Sequence, residues 1–183
     1  MRLPVPGAGA VVDYWHAAGD RGEWFSKRPG FDRDFRDRFQ TLHETAAEGG
    51  CDGWIATPEG ALALMILLDQ FPRNAFRGTA RMYATDARAL PLAREAEKRG
   101  HWSAVEPDLR LFLALPFSHS ETLADQDISV RLNTRLGQPW LSHAEGHRDI
   151  IGRFGRFPHR NAILGRETTP EEARFLRKGG FRG

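Results

Sequence analysis

Thr57-Pro58-Glu59-Gly60-Ala61-Leu62-Ala63-Leu64-Met65-Ile66-Leu67-Leu68-Asp69-Gln70-Phe71-Pro72-Arg73-Asn74 is the stretch whose reading decides the fold. Thr57 offers a side-chain oxygen to the open N–H groups of a helix start. Pro58 suits the first helical position because its missing N–H had no partner there, and Glu59 favours the positive end of the helix dipole. Residues 61–68 are apolar nearly all round, which predicts a central helix covered on every side. Pro72 disfavours helical geometry at the residue before it, so this helix is predicted to end near Phe71.

On either side the apolar residues recur at spacings of three and four, and no sustained strand-like alternation occurs. Phe31, Phe35, Phe39, Leu42 and Ala46 line one helical face, which Gly49-Gly50 ends. A helix is predicted from about Thr85 to Arg99, kinked or split by Pro91. Pro107 opens a short apolar helix that Pro116 should close after Leu115. Ser118-His119-Ser120-Glu121 reads as a capping box, a Ser followed three residues later by an acid. It should open a helix carrying Leu123, Ile128, Val130, Leu132 and Leu136. Trp140, Ala144, His147, Ile151 and Phe154 mark another helical face. Thr169-Pro170-Glu171-Glu172 caps the last helix, which ends at Gly179-Gly180. The expectation is an all-α fold of seven to eight helices in antiparallel pairs, forming one domain over residues 1–183. Phe71-Pro72-Arg73-Asn74 is echoed by Phe157-Pro158-His159-Arg160-Asn161, and the echo reads as two similar helix-exit turns.

The 183 residues suffice to bury roughly 70% of the surface that the unfolded chain exposes, so neither metal nor disulfide is needed for folding. Cys51 is the only cysteine, which rules out an intramolecular disulfide and suits a reducing compartment. The longest apolar run is far shorter than the roughly 20 residues of a membrane span. The opening Met1-Arg2-Leu3-Pro4-Val5-Pro6 lacks the apolar core of a signal peptide, so the expected location is cytoplasmic. A net charge of +2 argues against a protein built to coat nucleic acid.

Chemistry concentrates in residues 147–166, where His147, Arg148, Arg153, Arg156, His159, Arg160 and Arg166 face a single acid, Asp149. Guanidinium forks suit carboxylate or phosphate and keep their charge when partly buried. The same arginines could equally pair with Asp69, Glu121 or Asp125 as structural ties. A second candidate is His119 beside Glu121, with Gln126 beyond: a histidine next to a carboxylate is a tuned acid or base near neutral pH. His143 and His147 stand one helical turn apart, a spacing that lets two imidazoles reach one ion, but no third ligand is close in sequence. The reading is therefore no metal. His147-Arg148-Asp149 copies the kinase catalytic tripeptide without a glycine-rich loop or strand-borne lysine, and no phosphate-binding glycine loop occurs. Cys51, beside Asp52, has no cation to activate it.

Five motifs in order form a recognisable set. They are Trp24-Phe25 through Phe39, then Leu67-Leu68-Asp69-Gln70-Phe71-Pro72-Arg73-Asn74, and Leu115-Pro116-Phe117-Ser118-His119-Ser120-Glu121. His147-Arg148-Asp149-Ile150-Ile151 and Arg153-Phe154-Gly155-Arg156-Phe157-Pro158-His159-Arg160-Asn161 complete it. Across about residues 12–175 the chain resembles the bacterial domain-of-unknown-function family 924. The resemblance implies a helical architecture similar to tetratricopeptide repeats. It brings no activity or cofactor with it. Its motifs include Asp69, Gln70, Arg73, Asn74, His119, Glu121, Gln126, His147, Arg153, Arg156, His159, Arg160, Asn161 and Arg166. His143 is not among them, and Pro91 is atypical.

Three functions fit these residues. The leading one is a pocket for a small anionic ligand, a carboxylate or phosphate. Asp69, Gln70, Arg73, Asn74, Glu121, Gln126, Arg153, Arg156, Arg160, Asn161 and Arg166 would build it. In an enzyme His119 or His159 would be the acid/base, and the arginines would hold developing charge. The second is a helical-repeat module that recognises a peptide, although no 34-residue period is visible. The third, RNA binding, is disfavoured by the near-neutral charge.

Overall fold

The apolar run at residues 61–68 forms the central rod that its pattern predicts. In the computed structural model, which describes residues 7–183, each of these eight side chains is at most 2% exposed. The described residues are helical with no strand. None of these helices is long and apolar enough to cross a membrane. The opening segment, on which the absence of a signal peptide was read, lies outside the described residues.

The chain packs as two compact units, residues 7–77 with 81–116, and residues 78–80 with 117–183. The first holds α1 (Ala8–Asp20), α2 (Pro29–Ala47), α3 (Pro58–Met65), a π-helical turn at Ile66–Gln70, α4 (Phe71–Ala75) and α5 (Asp86–Lys98). It also holds the start of α6 (Leu111–His119), within which the chain passes into the second unit. That unit contains α7 (Leu123–Thr134), α8 (Trp140–Phe154) and α9 (Pro170–Arg177). With α3 and α4 taken as parts of one rod, the described residues form eight α-helices.

Local signals explain most element starts. Gly60 N–H donates to the Thr57 hydroxyl at 3.0 Å, the predicted cap. A Cβ at Gly60 would fall 2.1 Å from the Trp54 carbonyl, so only glycine allows this close approach. The face of α2 read from the sequence is the buried one, and Tyr14 of α1 stacks on Phe31 and Phe35 and meets Phe39 edge-on, with ring centroids 5.2–5.9 Å apart. Thr169 and Glu172 form the predicted capping box of α9.

The prolines behave differently from expectation. The helix predicted to end near Phe71 continues through Pro72 as α4, because the rod widens to a π-turn in which Phe71 N–H reaches back to the Ile66 carbonyl. A wide turn and a proline without an N–H leave several carbonyls without ladder partners. Side chains take their place. His43 Nδ1 donates to the Leu67 carbonyl at 2.8 Å, the Thr85 hydroxyl donates to the Leu68 carbonyl, and Arg73 donates to the Asp69 carbonyl at 2.8 Å. Because a carbonyl only accepts, His43 carries its proton on Nδ1. Thr85→Val keeps the shape but removes the Leu68 donor. It is expected to cost about 1–3 kcal/mol in urea unfolding, the desolvation penalty of an orphaned buried carbonyl. A loss below about 0.5 kcal/mol would mean that Leu68 finds another donor.

Pro91 neither splits nor ends α5, which runs unbroken from Asp86 to Lys98 with the proline on its exposed side, where the carbonyl it leaves unpaired can be hydrated. Pro116 likewise does not close its helix. α6 continues to His119, and its last carbonyls find donors from side chains far along the chain.

Candidate functional site

In the second unit the end of α6 is held open-handed by two side chains. Gln126, fully buried on α7, donates its amide to the Ser118 carbonyl at 2.9 Å and the Ser120 carbonyl at 2.7 Å, with a longer contact to Phe117 at 3.4 Å. Arg160 donates to the His119 carbonyl between them at 3.0 Å. A helix leaves its last carbonyls unpaired, and a cation there also complements the dipole. His119, the final residue of α6, is thus set in place through its own and its neighbours' backbone.

The capping box predicted at Ser118-His119-Ser120-Glu121 does not form, because α7 begins only at Leu123. Ser118 instead bonds the buried Ser129 hydroxyl at 2.6 Å, and Asp125 accepts from the Ser120 and Thr122 hydroxyls at 2.6 and 2.7 Å. Glu121 is drawn to the loop after α8. It accepts from Phe157 N–H at 2.8 Å and from both arms of Arg166 at 2.7 and 3.1 Å.

That loop starts at Gly155, whose φ of 67° ends α8 in the left-handed turn that glycine adopts without strain. The turn brings Phe157 inward, 1% exposed, and starts the short 3-10 turn Pro158–Arg160. The echo of Phe71-Pro72-Arg73-Asn74 is therefore one of sequence only: the first copy continues a helix, and the second is an irregular turn. Phe157 is the floor on which the polar residues gather. The Arg160 guanidinium lies 4.5 Å above its ring, and the rings of His147 and His159 lie 5.3 and 5.6 Å away. Phe181 packs edge-on against both imidazoles, 4.7 Å from His147 and 5.0 Å from His159.

Burial, followed by the neighbouring His119 and Arg160, pushes the His147 imidazole down to about 3. Burial and then Arg160 push His159 down to about 4. Both rings are neutral at neutral pH. The Nδ1 atoms of both are buried without a hydrogen-bond partner among the described residues, as is the Gln126 side-chain oxygen. Burial raises Glu121, but Arg166, the Phe157 N–H and Arg160 more than offset it and hold the carboxyl below its usual range. Two guanidiniums thus act on one carboxylate here.

The other predicted residues are committed to partners. Arg156 forms a two-armed pair with buried Glu172 at 2.6 and 2.9 Å, and Asn161 donates to the same carboxylate at 3.2 Å. Hydrogen bonding from Arg156, ahead of the burial that opposes it, takes Glu172 to about 2. Arg166 also bonds the Phe157 carbonyl and the Asn161 side chain. Arg153 pairs with Glu171 in solvent at 2.9 Å.

Asp69, Gln70, Arg73 and Asn74 belong to the first unit. There Arg73 binds Asp86 with both arms at 2.7 and 2.8 Å and lies 3.4 Å from Asp69, while Gln70 donates to Asp69. Asn74 donates to Asp32 at 2.9 Å, a carboxylate shared with Arg77. This network surrounds the π-turn and completes its backbone bonding.

No group of three or more His, Cys, Asp or Glu side chains among the described residues is arranged to hold a metal ion. His143 packs beside Trp140, whereas His147 turns to Phe157 and Phe181. His147 was read from the sequence as part of the 147–166 concentration of Arg and His, though not as a residue of the pocket itself. One member of the cluster escaped sequence reasoning. Phe181, beyond the last helix, carried no signal at all.

A solved structure of a protein of unknown function from Agrobacterium tumefaciens is similar, with 56% identity and a TM-score of 0.91. The match covers 94% of this chain and 97% of that one. Among curated proteins none matches. The profile of bacterial proteins of unknown function, family 924, matches residues 11–180, and the chain belongs to that family.

Proposed function

We propose that the second unit binds a small anionic ligand, a carboxylate or phosphate, at Arg160, with His147 and His159 supplying hydrogen bonds. One observation carries this reading. Two half-buried imidazoles have buried, unpartnered Nδ1 atoms next to a cluster in which two guanidiniums act on a single carboxylate. Buried polar atoms without partners are rare and costly, and they concentrate where a ligand completes the bonding. Arg153, Arg156 and Arg166 already hold Glu171, Glu172 and Glu121, so this reading gives them the task of fixing the loop.

The chemistry open to such a site is proton transfer. An anion beside His159 favours the imidazolium, so its depressed pKa climbs on binding and the ring takes up a proton. His159 or His119 then serves as the acid/base, with Arg160 holding charge on the bound group. Binding is accordingly expected to tighten as the pH is lowered from 8 toward 5.

The test is calorimetric titration of the protein with inorganic phosphate and acetate across that range, supported by thermal shifts. A ligand at 100 times its dissociation constant adds about 2.7 kcal/mol, several degrees of melting temperature for a domain of this size. Arg160→Met should abolish the response. Because that change also removes a donor from the end of α6, His159→Asn serves as a second variant and should weaken the pH dependence to the share that His147 carries. Absence of any anion response at every pH would refute the reading.

A further inference from the structure

The mouth of this cluster is filled by the chain itself. After α9, Gly180 N–H bonds the Phe175 carbonyl at 3.0 Å, and the backbone then runs without regular structure past the two histidines. It comes so near His159 at Gly183 that a Cβ there would lie 3.2 Å from the ring. The Phe181 phenyl meets His147 at 68° and His159 at 85°, with Phe157 behind it at 6.5 Å. These are the edge-to-face contacts that aromatic rings favour. Yet Phe181 remains 41% exposed, and one side-chain bond, from Arg182 to the Leu176 carbonyl at 2.8 Å, helps hold its segment. A phenyl group packs on both imidazoles but forms no hydrogen bond with either.

We infer that Phe181 occupies the place of an aromatic ring of the ligand. The site takes an aromatic carboxylate or aryl phosphate, whose ring displaces Phe181 from between His147 and His159 while its anionic group reaches Arg160. This rests on the anion-binding reading above and adds the ligand's class. It makes the segment at residues 180–183 a built-in competitor: a ligand without a ring gains the anion contacts but leaves the ring seat to Phe181.

Phenyl phosphate and inorganic phosphate are titrated against the full chain and against Phe181→Ala, whose lost ring contact should lower the melting temperature by only a few degrees while the unfolding stays cooperative. Phenyl phosphate is expected to bind Phe181→Ala about tenfold tighter than it binds the parent, the worth of one competing ring contact, while inorganic phosphate changes little. In a Phe181→Trp chain, phenyl phosphate should shift the indole emission to the red as the ring moves into water. If inorganic phosphate binds and Arg160→Met abolishes it, but phenyl phosphate gains nothing in Phe181→Ala, the aromatic seat is wrong and the anion reading stands. If neither phosphate binds either protein, both fall.

Discussion

Lowering the pH from 7 to 4.5 is expected to remove about 5 kcal/mol of stability through His147 and His159 together. Their folded-state values lie at about 3 and about 4, against 6.5 for an ordinary imidazole. Above pH 6.5 both the folded and the unfolded chain carry neutral rings, and the histidines make no pH-dependent contribution. As the pH falls below 6.5 the unfolded chain takes up protons that the folded chain refuses, so each ring disfavours folding by about 1.4 kcal/mol per pH unit until its folded value is reached. At pH 4.5 that amounts to roughly 2–3 kcal/mol each. Burial lowers His43 in the first unit too, which acts in the same direction. Glu121 and Glu172, held below their usual range, become important only further down. The window between 6.5 and 4.5 therefore belongs to the histidines. Urea unfolding at half-unit intervals should show the slope, and His147→Asn should remove about half of it. A flat profile across this window would mean that the two rings are charged and solvated in the folded protein. Saturating phosphate should also flatten the profile, because a bound anion lifts the histidine values toward 6.5.

Phe157→Ala is expected to cost about 3–5 kcal/mol, the usual range for emptying a fully buried aromatic position. That corresponds to a melting temperature lower by about 6–20 °C. The ring touches the apolar cluster of Ile150 and Ile151 on one side and carries Arg160, His147 and His159 on the other. Its backbone bonds, N–H to Glu121 and carbonyl to Arg166, do not depend on the side chain and survive the substitution. The loop should therefore stay attached while its polar residues lose their floor. Phe157→Leu restores much of the volume and should recover most of the stability. It should not recover anion binding, since the flat surface under the Arg160 guanidinium is gone. Anion affinity equal to the parent's in Phe157→Leu would show that the ring serves packing alone.

The sequence by itself determined the all-α class, the buried faces of α2 and α3, the cap at Thr57 and the capping box at Thr169. These follow from contacts between residues three or four apart, so they are written in local spacing. It also named most of the polar residues that gather near Phe157. The tertiary structure decided what each of them does. Pro72 fails to end its helix because carbonyls left without ladder partners find donors in His43 and Thr85, and α6 runs past Pro116 to end on carbonyls held by Gln126 and Arg160, none of these donors being in the same turn. Glu121 abandons a cap three residues away for Phe157 and Arg166, 36 and 45 residues along the chain. A carboxylate goes to the donors that compensate its desolvation best, and no local pattern records where those are. Arg156 and Arg166 became ties rather than open cations for the same reason. Phe181 reached the two histidines only because the chain after α9 turns back over them. A single ring beyond two glycines carries no periodicity from which that could be read.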